Sequence, residues 1–296
     1  MAHSQMVGDS FRLGYRFQRH WDTAMAGAFF CGELGAGLFV VSMFFENAIG
    51  LVLGLAITGI CKPLFHLSHM GVPEKSWRAL LRPDRSWISR GLIAIVVFFA
   101  AGTGHAINLI WGAVLPFDGV LQVLAGGAAL VVMTYQGFAM SHSTAIALWN
   151  TAMMPLSSLL YALTGGLIVI LQLPWPGLTA GTDQLPLFLA RGFLLADLVL
   201  VLGIVYAAYH GSPGAKLSAD LLIRGRYARW FLGLVVGLGL IGPWALLTLG
   251  SGAALARLAA LAGTLAGFYA FRLLIFKAGV YEPVMSFDFL AAKQDA

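Results

Sequence analysis

Eight apolar runs, each long enough to cross a lipid bilayer, fix what this chain can fold into. They fall at roughly 21–45, 47–67, 90–113, 119–140, 149–172, 186–209, 229–249 and 252–276, and a helix crosses the hydrocarbon core with about 20 apolar residues. No stretch between them has room for a soluble domain, and no internal repeat is visible. Charged residues make up only 10% of the 296, against roughly 25% in a soluble domain. The expectation is an all-α polytopic membrane protein, a bundle of eight transmembrane helices. It divides into an N-terminal segment 1–20, a membrane domain 21–277 and a tail 278–296. The opening "MAHSQMVGDSFRLGYRFQRH" is polar and basic, without a small-residue cleavage site after a short apolar core. The first run is therefore expected to be a retained helix and not a signal peptide. Its glycines at 27, 32, 35 and 37 predict close helix contacts through small residues.

The net charge of +5 reads as membrane topology, not as nucleic-acid binding. An even number of spans puts both termini on one side. That side receives Arg12, Arg16, Arg19, Lys62, Lys75, Arg78, Arg82, Arg85 and Arg90. It also receives Lys216, Arg224, Arg226, Arg229, Lys277 and Lys293, which makes fifteen of the eighteen cations. The opposite loops carry Asp118 and Asp183, with Arg191 and Arg257 just inside helix starts. Arg272 lies within snorkelling reach of the basic side. The positive-inside rule then predicts cytoplasmic termini. The connection "CKPLFHLSHMGVPEKSWRALLRPDRSWISRG" (61–91) alone holds six of those cations with two histidines and two tryptophans. Its charges either fix topology alone or also offer a docking surface.

Ionisable groups inside a bilayer are costly and so are candidates for function. Glu33 in span 1, His105 in span 3 and Asp197 in span 6 all count to near-central depths; Glu33 lies roughly 18 Å from the basic face at 1.5 Å per residue. They suit either a proton relay or hydrogen bonds that specify packing, with Asn108 available to His105. Cys31 and Cys61 are too few for a cluster or zinc site and read as small buried side chains. His20, His66, His69, His142 and His210 all lie towards the basic face, with Asp22, Tyr135 and Gln136. His66 and His69, three apart, share a helix side. Such a set suits the polar head group of a quinone, whose two oxygens need hydrogen-bond partners and protons. It equally suits interfacial anchoring.

At these residues the chain resembles the NrfD/polysulfide reductase membrane subunits. "HMGVPEKSWRALLRPDRSWISRG" is similar to the loop after that family's second helix. "TYQGFAMSHSTAIALWNTAMMPLSSLLYALTGG" (134–166) resembles its Tyr-x-Gly and "WNTxxxPLxxL" landmark, and "WDTAMAGAFFCGELGAGLF" its first helix. The match runs through helices 1 to 5; helices 6 to 8 agree in number and length. The resemblance implies an anchor without haem or iron–sulfur cluster. It would pass electrons between menaquinone or ubiquinone and a ferredoxin-like iron–sulfur subunit, itself linked to a molybdopterin catalytic subunit. It implies a quinone site at Asp22, His69 and Tyr135, with His20, His66 and Gln136 nearby. In polysulfide reductases the helix 1 position favours His and Asn, whereas this chain offers Asp22. Lys75, Arg78, Arg82 and Arg85 would face the iron–sulfur partner. Many relatives hold their catalytic subunits outside the cytoplasm, yet here the corresponding face is the basic one. The partners are then expected in the cytoplasm, which suits an acyl-CoA substrate as in phenylacetyl-CoA:acceptor oxidoreductases. A dimethyl sulfoxide, polysulfide, tetrathionate or arsenic oxyanion reductase anchor is the alternative within the family.

Two rival classes remain at this level. A di-haem b-type quinol cytochrome needs axial histidine pairs towards both faces. A proton-coupled secondary transporter would use Glu33 and Asp197, with broken helices in matched halves.

Overall fold

A computed structural model describes residues 15–112, 114–174, 184–250 and 253–282. The expectations for Arg12, Asp183, Lys293 and most of the tail 278–296 lie outside the described residues. Among them, eight helices are long and apolar enough to span a membrane: Thr23–Phe44, Ala48–His69, Trp87–Trp111, Asp118–Ser141, Met153–Ile170, Gln184–Tyr209, Ala228–Leu249 and Ala254–Lys277. These are spans 1 to 8. The chain is an all-α, multi-pass membrane bundle.

Side-chain caps open several of them. The carboxylate of Asp22 accepts from the Met25 N–H, Asn47 Oδ1 from Gly50 and Ser86 Oγ from Ser89, each satisfying a donor that the first turn leaves free. Span 5 begins four residues later than the apolar run suggests. Residues 143–152 form a loop in which the Trp149 indole turns inward and donates to the Ile275 carbonyl at 3.0 Å. Pro155 then falls in the first turn, where a missing N–H costs nothing.

Spans 2 and 7 are not regular. Each contains a π-helical stretch, Ile57–Cys61 and Phe231–Ile241, that ends two residues ahead of a proline. The N–H groups of Lys62 and Gly242 reach back five residues, to the carbonyls of Ile57 and Gly237. The pyrrolidine rings of Pro63 and Pro243 would clash with the carbonyl four residues earlier in an α-helix, and the wider turn relieves that clash. One inserted residue also rotates the helix beyond it by about 100°. In span 2 that rotation decides where Lys62 points.

Span 1 is the most enclosed of the eight, and glycine makes this possible. Gly35 meets the Gly54 backbone of span 2, while Gly37 lies against Ala162 and Gly166 of span 5. A Cβ on Gly37 would sit 1.9 Å from the Ala162 carbonyl oxygen, a backbone atom that cannot step aside. Gly37→Ala is therefore expected to destabilise the bundle by about 1–3 kcal/mol, read as a lower unfolding midpoint in detergent. An unchanged midpoint would mean that spans 1 and 5 are less closely packed.

The segments before span 1 and after span 8 meet on the basic side. Arg16–Phe17 pairs antiparallel with Val280–Tyr281, and the buried Gln18 amide donates to the carbonyls of Trp21 and Phe276. Trp21 stacks on Trp149 with centroids 4.9 Å apart and meets Phe29 and Phe276. A short helix, Pro213–Ile223, lies in the connection between spans 6 and 7. Its first turn is held by Glu282, which accepts from the Ser212 hydroxyl at 2.9 Å and the Gly214 N–H at 3.1 Å.

Candidate functional site at the basic boundary

The cap of span 1 and the last turn of span 2 bring Asp22 and His69 together. His69 Nδ1 lies 3.2 Å from Asp22 Oδ1, with the side chains 23% and 51% exposed. Burial pushes the Asp22 carboxyl up, but the hydrogen bonds from the Met25 N–H and His69 outweigh it and hold it below its ordinary value of 3.8. A carboxylate depressed on folding stabilises the fold above that value, and the contribution fades as pH falls through the lower folded value. Asp22 therefore stays ionised near neutrality. It faces Nδ1 of His69, which leaves Nε2 as the working nitrogen. The hydroxyl of Tyr269 in span 8 donates to the Thr23 carbonyl at 3.4 Å, beside this pair. Nothing local in the sequence separates Tyr269 from an ordinary interfacial tyrosine. His20 is exposed one residue before Trp21, and His66 is half-buried one turn below His69.

Tyr135 and Gln136 lie a level deeper than the pair that they were expected to join. Both are buried, six and five residues inside the end of span 4. Between them and His69 stands Lys62, only 1% exposed. Its ammonium donates to Gln136 Oε1 at 2.9 Å and the Ala28 carbonyl at 3.3 Å, and sits 5.2 Å from the Tyr135 ring centroid. Gln136 Nε2 in turn donates to the Phe29 carbonyl. A Cβ at Gly32 would lie 2.6 Å from the Lys62 nitrogen, so the missing side chain makes the slot. Lys62 does not stand with the basic-face cations as expected, for the π turn aims it into the bundle. Lys62, His66 and His69 then share one helix face. Amine acylation of the native protein is expected to label exposed Lys75 and Lys216 and to spare Lys62 until unfolding. Equal labelling of Lys62 and Lys75 would put it back at the surface.

Further in, Arg272 also departs from expectation. Instead of snorkelling to the boundary, its guanidinium turns inward. It donates from Nε to Glu33 Oε2 at 2.8 Å, with both side chains 0% exposed. It also donates to Ser158 Oγ at 3.1 Å and lies over the Phe268 and Phe271 rings. Thr164 donates to the buried Asp197. Glu33 Oε1, Asp197 Oδ1 and the Tyr161 hydroxyl are enclosed without a hydrogen-bond partner. Buried polar atoms of this kind are normally satisfied by ordered water.

His105 does not belong to this group. Span 3 starts three residues before its apolar run, which puts His105 about 27 Å from the basic end at 1.5 Å per residue. There its Nδ1 meets Asp118 Oδ1 at 3.0 Å, and Asn108 donates to the same carboxylate at 2.9 Å. Arg191 is engaged with the Leu247 carbonyl, not with Asp197.

Beside the boundary pair, Pro73–Leu80 forms a 3₁₀ helix. Lys75, Arg78, Arg82 and Arg85 are exposed on it and on the turn that follows, with Trp77 and Leu81 also largely exposed. The loop is pinned from below. Arg90 donates to the Pro83 and Asp84 carbonyls at 2.8 and 3.0 Å and covers Trp87, which stacks on Phe138.

Fold and site together define a multi-pass membrane protein. It carries a titratable pair at its basic boundary and buried charges behind it. No known family model matches the chain, and no curated protein matches it.

Proposed function

We propose that the chain is the quinone-interacting anchor of a respiratory oxidoreductase complex in a bacterial or archaeal cytoplasmic membrane, with the basic face in the cytoplasm. The observation that carries this reading is the Asp22–His69 contact at the membrane boundary, beside an exposed cationic loop. When bound, a quinone supplies the exchange of two electrons and two protons. The chain's own residues suit the protons. His69 Nε2 accepts a proton from a hydroxyl or returns one, Asp22 orients the ring and stabilises the imidazolium, and half-exposed Asp22 and exposed His20 meet water. Lys62, held by Gln136, places its amino group below the pair and beside Tyr135. Behind them, Glu33 and Asp197 with their unpartnered oxygens offer hydrated stations towards the far side, which would make turnover electrogenic.

The resemblance of residues 69–91 and 134–166 to NrfD/polysulfide reductase anchors supports the same reading. It supplies the partners: an iron–sulfur subunit facing Lys75, Arg78, Arg82 and Arg85, and a molybdopterin subunit beyond it. Opposite charge at such a surface speeds and orients docking. The transporter alternative draws on the interrupted spans 2 and 7, but these are not corresponding positions of two halves. For a di-haem cytochrome, the histidines described inside spans are His66 and His69, on one helix, and His105, engaged with Asp118.

The test is purification from native membranes with bound partners, followed by an optical spectrum, metal analysis and quinone extraction. Iron–sulfur absorbance and molybdenum or tungsten in co-purifying subunits, with quinone present, is the expected result. A b-type haem band from this chain overturns the proposal in favour of the cytochrome. A colourless protein without partner or quinone turns it towards the transporter.

A further inference from the structure

We infer that the outer face of span 7 binds an anionic phospholipid, with the phosphate on Arg229 and an acyl chain over Gly233 and Leu234. Arg229, Trp230, Gly233 and Leu234 line an open groove of about 420 Å³. Span 7 is the least enclosed of the eight helices, and Trp230, Leu232 and Leu238 project from it, so the groove opens to lipid. Its floor is bare because Gly233 has no side chain. A Cβ there would meet nothing within 4 Å.

One end of this groove is cationic and the other apolar. Arg224, Arg226 and Arg229 are all exposed within six residues at the entry to the span. Among the described residues, none of the three forms an ion pair. Each lies over an aromatic ring instead: Arg224 over Tyr209, Arg226 over Phe17 and Tyr227, and Arg229 over Trp230 at 5.0 Å. Ring stacking holds a guanidinium flat and leaves its edge free to donate to a phosphate. Gly233 and Leu234 lie four and five residues further along, about 6–8 Å deeper, at the level of the first methylenes of an acyl chain. A free phosphate would gain nothing from that apolar floor, whereas a phospholipid matches both ends. Basic sites on the cytoplasmic side of spans are where anionic head groups bind.

The experiment is native mass spectrometry of the full chain, released from nanodiscs of equal phosphatidylglycerol and phosphatidylcholine. Wild type is expected to retain phosphatidylglycerol in preference to phosphatidylcholine. Arg229→Gln should weaken that retention by about fivefold, the effect of one surface cation. Gly233→Leu should abolish it by filling the groove, at a position open enough that the fold is unaffected. Equal retention of the two lipids by wild type, or undiminished phosphatidylglycerol on either variant, overturns the proposal.

Discussion

Arg272→Met is expected to destabilise the bundle by about 3–5 kcal/mol, the cost of leaving one partner of a buried ion pair without the other. The guanidinium ties span 8 to Glu33 of span 1 and to Ser157 and Ser158 of span 5, and both charged side chains are fully enclosed. Glu33→Gln alone should also be costly, because it leaves the buried Arg272 facing a neutral amide. The double variant Glu33→Gln/Arg272→Met should recover much of the loss, since removing both charges also removes the desolvation penalty. Unfolding of reconstituted or detergent-held protein, measured for all four species, gives the coupling. Additive losses in the two single variants would mean that the pair is not what joins spans 1 and 8.

His69→Phe should slow quinol-dependent electron transfer by about 10²-fold or more, the range for losing a positioned proton acceptor, with the iron–sulfur partner still bound. Asp22 needs a more careful substitution, because its carboxylate does two things. It caps span 1 through Met25 and orients His69. Alanine would lose both, at about 1 kcal/mol for the cap. Asparagine caps as well as aspartate, so Asp22→Asn removes only the negative charge beside His69. The expected result is normal stability with turnover reduced by about tenfold or more and a changed pH profile. Turnover at the wild-type rate in both His69→Phe and Asp22→Asn would remove this pair from the proposed site.

Both predictions involve residues that differ in how visible they are in the sequence. The eight spans are legible because the free energy of insertion sums over about 20 consecutive residues, and that sum is local. The glycines of span 1 are legible for a related reason, since small residues on a central apolar helix have few uses other than close approach. Asp22 and His69 are visible as polar residues at the ends of two apolar runs. Their meeting follows once spans 1 and 2 are antiparallel neighbours joined by a short turn.

The inward charges are different. Arg272 counts as a snorkelling residue by its distance from the helix end, and only its 239-residue separation from Glu33, closed by the fold, turns it inward. Lys62 counts with the loop cations until a π turn before Pro63 rotates it towards Gln136 and Tyr135. Pro63 is the signal in the sequence, but it announces an irregular turn and not the direction in which the preceding lysine points. His105 pairs with Asp118 and not with Glu33, because span 3 begins three residues early and carries it towards the opposite boundary. Which segments enter the membrane, how many there are and which residues stand at their ends follow from the amino-acid order, because hydropathy is summed along the chain. Which charges are buried, and with what partner, depends on how the helices pack. A buried polar or charged group costs free energy unless another group meets it, and for Glu33, Lys62 and Asp197 that partner comes from another helix.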